Sequence, residues 1–264
     1  TMSSSLGMLS GAISSLLTPQ TETPPAWYQP AVDVNWQIQL QGPPNTGYPA
    51  DLYILDLFDT PQAVINDLQA SGRKVICYFS AGSFEDWRDD ANRFLATDKG
   101  RRLGNWPGER WLDTRSANVR DIMADRIALA AERGCDGVDP DNVDGYSNRT
   151  GFALTYQSQL DYNRFLFDRA HAEGLAVSLK NDLGQVQELL PHVDFAVNES
   201  CHQWQECHLL TPFIEAGKPV LHIDYLYLDS GARAGHCEEM AALQFRSLTL
   251  PLALDDSFRF TCND

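Results

Sequence analysis

The stretch Gly134-Cys135-Asp136-Gly137-Val138-Asp139-Pro140-Asp141-Asn142 follows a helical run, Ala117–Arg133, that opens behind the capping residue Ser116. The glycine stops that helix, a short apolar segment (Gly137–Asp139) follows, and the chain runs at once into Asp141 and Asp144. Helix, glycine stop, buried strand and polar strand end make the repeating unit of a parallel α/β sheet. Working outward, the same pattern recurs at Trp36–Leu40, Leu52–Leu57, Val75–Phe79, Ala176–Leu179, Phe195–Val197, Val220–Ile223 and Leu248–Leu254. These runs are β-branched or aromatic and mostly do not alternate with polar residues, as strands covered on both faces require. Between them, Thr60-Pro61 opens a helix that Gly72 ends, a second runs from about Thr155 to Glu173 before Gly174, and Leu209–Ala216 stops at Gly217. Glu238–Arg246 reads as the helix before the last strand. Eight such units predict a single (β/α)8 TIM barrel over residues 31–264, preceded by a Ser/Thr/Pro-rich tail over 1–30. An open doubly wound sheet is the alternative. A dinucleotide site is disfavoured, because no G-x-G-x-x-G follows the first strand.

Thirty-six acids against twenty bases give a net charge of −16. Such a surface repels nucleic acid and attracts cations, so the expected partner is cationic and not a nucleic acid. No apolar run is long enough for a membrane-spanning helix. Six cysteines stand at 77, 135, 201, 207, 237 and 262. The pairs 201–207 and 237–262 read as disulfides, whereas Cys77 and Cys135, each in an apolar run, read as buried free thiols. Together with the tail, this predicts an oxidising compartment and a secreted or periplasmic protein. A monomer is expected.

Chemistry in a barrel sits at the carboxyl ends of strands, and here those ends are polar: Asp56 and Asp59; Tyr78, Ser80 and Gly82; Asp139, Asp141, Asn142 and Asp144; Lys180, Asn181 and Asp182; Asn198 and Glu199; Asp224 and Tyr225; Asp255 and Asp256. A glycosidase needs two carboxyls flanking the scissile bond, and an acid of the fourth strand can face Glu199 of the sixth across the mouth. Trp36, Trp87, Trp106, Trp111 and Trp204 offer flat platforms for sugar rings. The D-x-D-x-x-D-G run fails the calcium-loop template, with Val143 at a ligand position and Asp144 where glycine is needed. Cys201-His202 and Cys207-His208 match no zinc spacing. No serine-hydrolase elbow, zincin motif or phosphate loop is present, and no metal or cofactor is expected. Asn148-Arg149-Thr150 and Asn198-Glu199-Ser200 are formal glycosylation sequons, the second in conflict with the predicted site.

Five of these segments together resemble glycoside hydrolase family 114: Trp36–Gly42, Val75–Gly82, Gly134–Asn142, Leu179–Asp182 and Asn198-Glu199, in order over roughly residues 30–256. The resemblance implies a (β/α)8 barrel with endo-α-1,4-polygalactosaminidase activity on a partly de-N-acetylated, hence cationic, galactosamine polymer. It implies Glu199 as general acid/base and a nucleophile within Asp139-Pro140-Asp141. Likeness to the fourth-strand motif of α-galactosidase-type barrels, where Asn follows the nucleophile, selects Asp141, with Asp139 as a supporting acid. The expected substrate-binding set is Asp139, Asp56, Tyr78, Ser80, Asn142, Lys180, Asn181, Asp224, Tyr225, Trp36 and Trp204. A retaining enzyme would hold the two carboxyls about 5–5.5 Å apart, an inverting one about 6.5–9.5 Å. A non-catalytic sugar-binding barrel and a metal-dependent polysaccharide hydrolase or deacetylase are the rival readings.

Overall fold

The computed structural model describes residues 26–226 and 229–263, so most of the predicted tail, residues 1–25, lies outside the described residues. Eight parallel strands succeed one another around the sheet: β1 (Trp36–Gln39), β2 (Leu52–Asp56), β3 (Lys74–Ser80), β7 (Gly137–Asp141), β8 (Ala176–Lys180), β9 (Phe195–Glu199), β10 (Val220–Asp224) and β11 (Arg246–Thr249). This is the (β/α)8 barrel, and every predicted strand is present. Among the described residues no ladder joins β1 to β11; the seam is bridged by side chains. Trp36 Nε1 donates to the Arg246 carbonyl at 3.0 Å, and Arg246 Nε donates to the Val34 carbonyl at 3.0 Å. The short antiparallel strand β12 (Phe260–Thr261) flanks β11 there, and Arg259 reaches the Trp36 carbonyl at 3.0 Å.

The outer helices are α1 (Gln62–Ala70), α2 (Ala117–Glu132), α3 (Tyr156–Ala172), α4 (Val186–Leu189), α5 (Thr211–Glu215) and α6 (Ser230–Leu243). Ser116 caps α2 by accepting from the Val119 amide, and Thr155 caps α3 by accepting from Ser158, which satisfies otherwise orphaned amides. Gly134 then leaves α2 at φ 77, a conformation that costs any residue with a Cβ. The last helix differs from expectation. It begins at Ser230 behind the cap Asp229 and ends at Leu243, so Arg246 starts the strand; the cap signal at Asp229 is legible, but its apolar stripe is weak.

Strand periodicity sorts the two cores. On the barrel interior Trp36, Ile38, Leu52, Ile54, Ile76, Phe195, Val197, Leu221, Ile223 and Leu248 pack together. The alternate positions, such as Tyr53, Val75, Cys77, Val138, Val177 and Val220, pack outward against the helices. Each strand position therefore has one assignable direction. One expectation is corrected here. Cys77 and Cys135 are not free thiols: they form a disulfide with Cα atoms 6.1 Å apart, beside the predicted 201–207 and 237–262 bonds. Cys77 points out of β3 and Cys135 precedes β7, and β3 and β7 are neighbours; with the two cysteines 58 positions apart, adjacency of parallel strands is not written in their spacing.

A second, unpredicted sheet interrupts the barrel between β3 and α2. It consists of β4 (Ser83–Glu85), β5 (Lys99–Arg102) and β6 (Glu109–Leu112), antiparallel in the order β4-β6-β5. Its origin is anchored at Gly82, where a Cβ would stand 1.7 Å from the Asn142 carbonyl oxygen. Only glycine lets this excursion leave β3 while touching the end of β7.

Candidate active site

At the carboxyl mouth lies a cleft of about 560 Å³, within the range of small-ligand sites. Interior positions on consecutive strands reach it in tiers. Asp139 and Asp141 sit two apart on β7 and share the inner face, as do Val197 and Glu199 on β9. Tyr78 lies opposite Asp139, and Ser80 opposite Asp141, in the β3–β7 ladder. Asp139 is fully buried below the cleft. Lys180 Nζ meets Asp139 Oδ2 at 3.0 Å, and Ser178 Oγ donates to its Oδ1 at 2.6 Å. This neutralised pair forms part of the floor.

One tier higher, Asp141 and Glu199 both line the open cleft. The Tyr78 hydroxyl donates to Asp141 Oδ2 at 2.8 Å, and the Asn142 amide donates to its Oδ1 at 2.8 Å. Burial, and then the Asp141 charge, push the Tyr78 phenol well above its usual range, so it remains a donor. Asn181 Nδ2 donates to Glu199 Oε2 at 2.9 Å, and the Tyr225 hydroxyl donates to Oε1. The Asn181 side-chain oxygen Oδ1 in turn accepts from the Glu199 backbone amide at 2.8 Å. The residues that end β7, β8 and β9 turn sharply: Asn142, Asn181 and Ser200 adopt φ of 59°, 52° and 70°. These left-handed positions, which Asn tolerates better than most residues, aim the Asn142 backbone N–H and the Asn181 side-chain amide back at the carboxylates.

Of the residues predicted to bind substrate, Asp56, Tyr78, Asn142, Lys180, Asn181 and Tyr225 line the cleft beside the two carboxylates. The others are placed elsewhere. Trp36 is 2% exposed inside the barrel, its indole N–H engaged with Arg246, so it offers no platform. Trp204 is 65% exposed on a turn outside the cleft. Ser80 is buried beneath the rim, bonded to Ser83 and to Asn142 Nδ2. Asp224 shares the outward parity of His222 on β10, so its carboxylate is buried away from the cleft and Tyr225 enters instead. Asp139 supports the site only from below. Asn198 is 2% exposed and its amide is hydrogen-bonded to Asn181, which closes that sequon, whereas Asn148 is exposed.

Sequence reasoning left out of the predicted binding set the wall built by the β4–β6 sheet. Glu85, Trp87, Arg88, Leu103, Trp106 and Glu109 line the cleft from it. Arg88 is 7% exposed and holds Asp56 at 2.7 Å, Glu85 at 3.2 Å and Asp59 at 3.4 Å. The signal available was the long interval between the third strand and Ser116, since long connections at a barrel mouth usually carry function. Among the described residues the His, Cys and acidic groups close enough to share an ion are Cys201, Cys207 and His222, and both sulfurs are committed to the disulfide. Asp139, Asp141 and Asp144 do not converge in that way.

Beside the cleft, burial and then the Asp144 charge push Asp182 up to about 9, and burial and then Asp141 push Asp144 up to about 6. Asp182 accepts from Asn163 Nδ2 at 3.0 Å, and its other oxygen has no partner. A carboxyl raised in the fold binds its proton more tightly folded than unfolded. Its contribution is therefore complete below the unfolded value near 3.8 and is lost as pH rises toward about 9. The Asp182→Asn variant, neutral at every pH and suited to the left-handed φ of 54°, should show a thermal midpoint that falls less between pH 5 and 8 than the wild type's. At pH 8 it should be the more stable protein by on the order of a few kcal/mol. Parallel slopes for the two proteins in thermal melts would refute this.

Several solved structures resemble this architecture. Ega3 from Aspergillus fumigatus, in complex with galactosamine, superposes with a TM-score of 0.85 at 40% identity, covering 89% of this chain and 97% of that one. The glycoside hydrolase domain of PelA from Pseudomonas aeruginosa gives 0.66 at 17% identity, over 84% and 96% of the two chains. Arthrobacter globiformis isomalto-dextranase complexed with panose gives 0.55 at 9% identity, over 83% and 52%; at these identities the last two speak for the fold alone. No curated protein sequence matches the chain. The model of glycoside-hydrolase family GH114 matches residues 17–264, and the chain, with its barrel and its carboxylate-lined cleft, belongs to that family.

Proposed function

We propose that this glycoside hydrolase cleaves within an α-1,4-linked, partly de-N-acetylated galactosamine polymer by a retaining, two-carboxylate mechanism. The observation that carries the reading is the pair Asp141 and Glu199 on one open cleft, each carboxylate held by two donors. Glu199 protonates the glycosidic oxygen while Asp141 attacks the anomeric carbon. The bond to the leaving sugar breaks, and a glycosyl ester forms on Asp141. Water then enters, gives a proton to Glu199 and attacks the same carbon, which releases the sugar and restores both groups. Tyr78 and the Asn142 amide hold the Asp141 carboxylate in place, and Asn181 with Tyr225 fixes Glu199. Lys180, tied to Asp139, stabilises the floor against the charge above it.

The substrate class follows from charge. Seven carboxylates and two cations line the cleft, and the chain carries −16 overall. A polymer bearing free ammonium groups is drawn to that field, and the bound galactosamine of the 40% identical Ega3 supports the same sugar. Three disulfides suit an oxidising, extracellular setting, and among the described residues no helix is long and apolar enough to cross a membrane.

The test is release of reducing ends from de-N-acetylated polymer. Oligomers of mixed length should appear early, as internal cleavage requires, and turnover at limiting substrate should fall as salt is raised. No reducing ends from this polymer, or rates indifferent to both acetylation and salt, would overturn the substrate assignment. Retention is read separately, from the anomer first formed.

A further inference from the structure

The hairpin between β5 and β6 carries an aromatic ring and a carboxylate three residues apart, both on the cleft wall: Trp106 and Glu109. The Glu109 amide donates to the Trp106 carbonyl at 3.2 Å, and the Leu103 amide to the Glu109 carbonyl at 3.0 Å, so the turn holds the two side chains in fixed relation. Trp106 is 48% exposed, free for a sugar face to stack on it. Charge accounting then separates Glu109 from its neighbours. Of the two cations in the cleft, Lys180 is committed to Asp139, and Arg88 to Asp56, Glu85 and Asp59. Among the described residues Glu109 has no ion-pair partner; it accepts from Ser83 Oγ at 2.8 Å and stands opposite Glu85 in the β4–β6 ladder. Asp141 and Glu199 are occupied by chemistry, and the charge of Asp144 acts on the neighbouring Asp182. A carboxylate without a cation, next to an open indole, is a receptor for a ring that brings its own positive charge.

We propose that Glu109 is the specificity residue that reads the free amine of the substrate, pairing with the ammonium of a galactosaminyl unit whose ring stacks on Trp106. This rests on the reading of the cleft as a galactosamine-polymer site and deepens it. Burial, and then the charges of Glu85 and Asp141, push the Glu109 carboxyl up to about 7 in the free protein. It is a group that an arriving ammonium would discharge of its proton and that an N-acetyl group would not. Acetylation also removes the positive charge and adds bulk, so the wall discriminates twice.

The experiment compares kcat/KM on de-N-acetylated and fully N-acetylated polymer for wild type, Glu109→Gln and Trp106→Ala. The carboxamide keeps the size of Glu109 and its bond to Ser83, and the wild-type group is already partly neutral near pH 7, so folding should survive. In Glu109→Gln the preference for the free amine should fall by about tenfold or more, chiefly through KM, as loss of a charge-assisted bond predicts. Glu109→Asp, which retains the charge, should restore part of that preference. Trp106→Ala should weaken both substrates, because either ring can stack on the indole, and should change the preference for the free amine far less than Glu109→Gln does. Equal losses on both polymers in Glu109→Gln, or an unchanged preference, would overturn the assignment and leave Glu109 a structural residue. If Glu109→Gln does not fold, Glu109→Ala is read by the same ratio. Failure of the wild type to cleave the de-N-acetylated polymer at all would instead overturn the proposed function.

Discussion

Asp141→Asn and Glu199→Gln should each leave a folded protein with almost no turnover. Glu199→Gln removes a proton-transferring group, a role worth about 10²–10⁴-fold, and Asp141→Asn removes the atom that bonds to the sugar, with a loss at least as large. Both changes preserve shape, and both sites are open to the cleft, so thermal midpoints should move little. The roles are told apart by rescue. A small exogenous nucleophile such as azide should restore turnover to a truncated Asp141→Ala protein and yield the inverted glycosyl azide. With Glu199→Ala it should give the retained product, on a substrate whose leaving group needs no acid. Asp139→Asn is the decisive comparison. Asp139 lies below the cleft with no exposed surface, salt-bridged to Lys180, so its neutralisation should act through stability and positioning. If Asp139→Asn abolished turnover in a stable protein while Asp141→Asn retained most of it, the nucleophile would be Asp139 and the tiering argued above would fail.

The second large effect concerns that buried pair. Lys180 and Asp139 are both almost wholly removed from water, 3.0 Å apart, and the acids Asp139, Asp141 and Glu199 outweigh burial in holding the ammonium protonated. Lys180→Met removes one partner and strands a carboxylate in the barrel, a change expected to cost about 3–5 kcal/mol. At roughly 2–4 °C per kcal/mol for a chain of this size, the thermal midpoint should drop by about 6–20 °C. Adding Asp139→Leu to Lys180→Met removes the stranded charge, and much of that stability should return, because an apolar pair of similar volume can replace a buried ion pair. A Lys180→Met protein as stable as the wild type would show that the pair is not the element holding the floor. Activity supplies the second readout: the double variant, even when stable, should remain impaired if Lys180 also steadies the charge on Asp141.

The barrel was legible because its units are local: a capped helix, a glycine stop, a short apolar run and a polar strand end recur from Trp36 to Leu254. The catalytic candidates were legible for the same reason, since the last residues of a parallel strand lie at the mouth end of the barrel wherever the strand sits in the sheet. Direction along a strand was harder. Asp224 ends its strand like Asp141 and Glu199, yet it points outward, and Trp36 opens β1 at the amino end, inside the barrel and away from the mouth. When both faces are apolar the sequence carries no alternation from which to read the parity. What joins residues far apart in the chain was decided only by the tertiary structure. The Cys77–Cys135 bond depends on β3 lying beside β7, and the pairing of Arg88 with Asp56 and Glu85 depends on the small sheet folding over the mouth. The sequence alone determined where each strand ends and which polar residues follow it, because periodicity and capping act within a few residues. Which of those charges are cancelled and which, like Glu109, are left for a ligand is a property of distance in space, and that was settled only when the barrel and its added sheet brought the partners together.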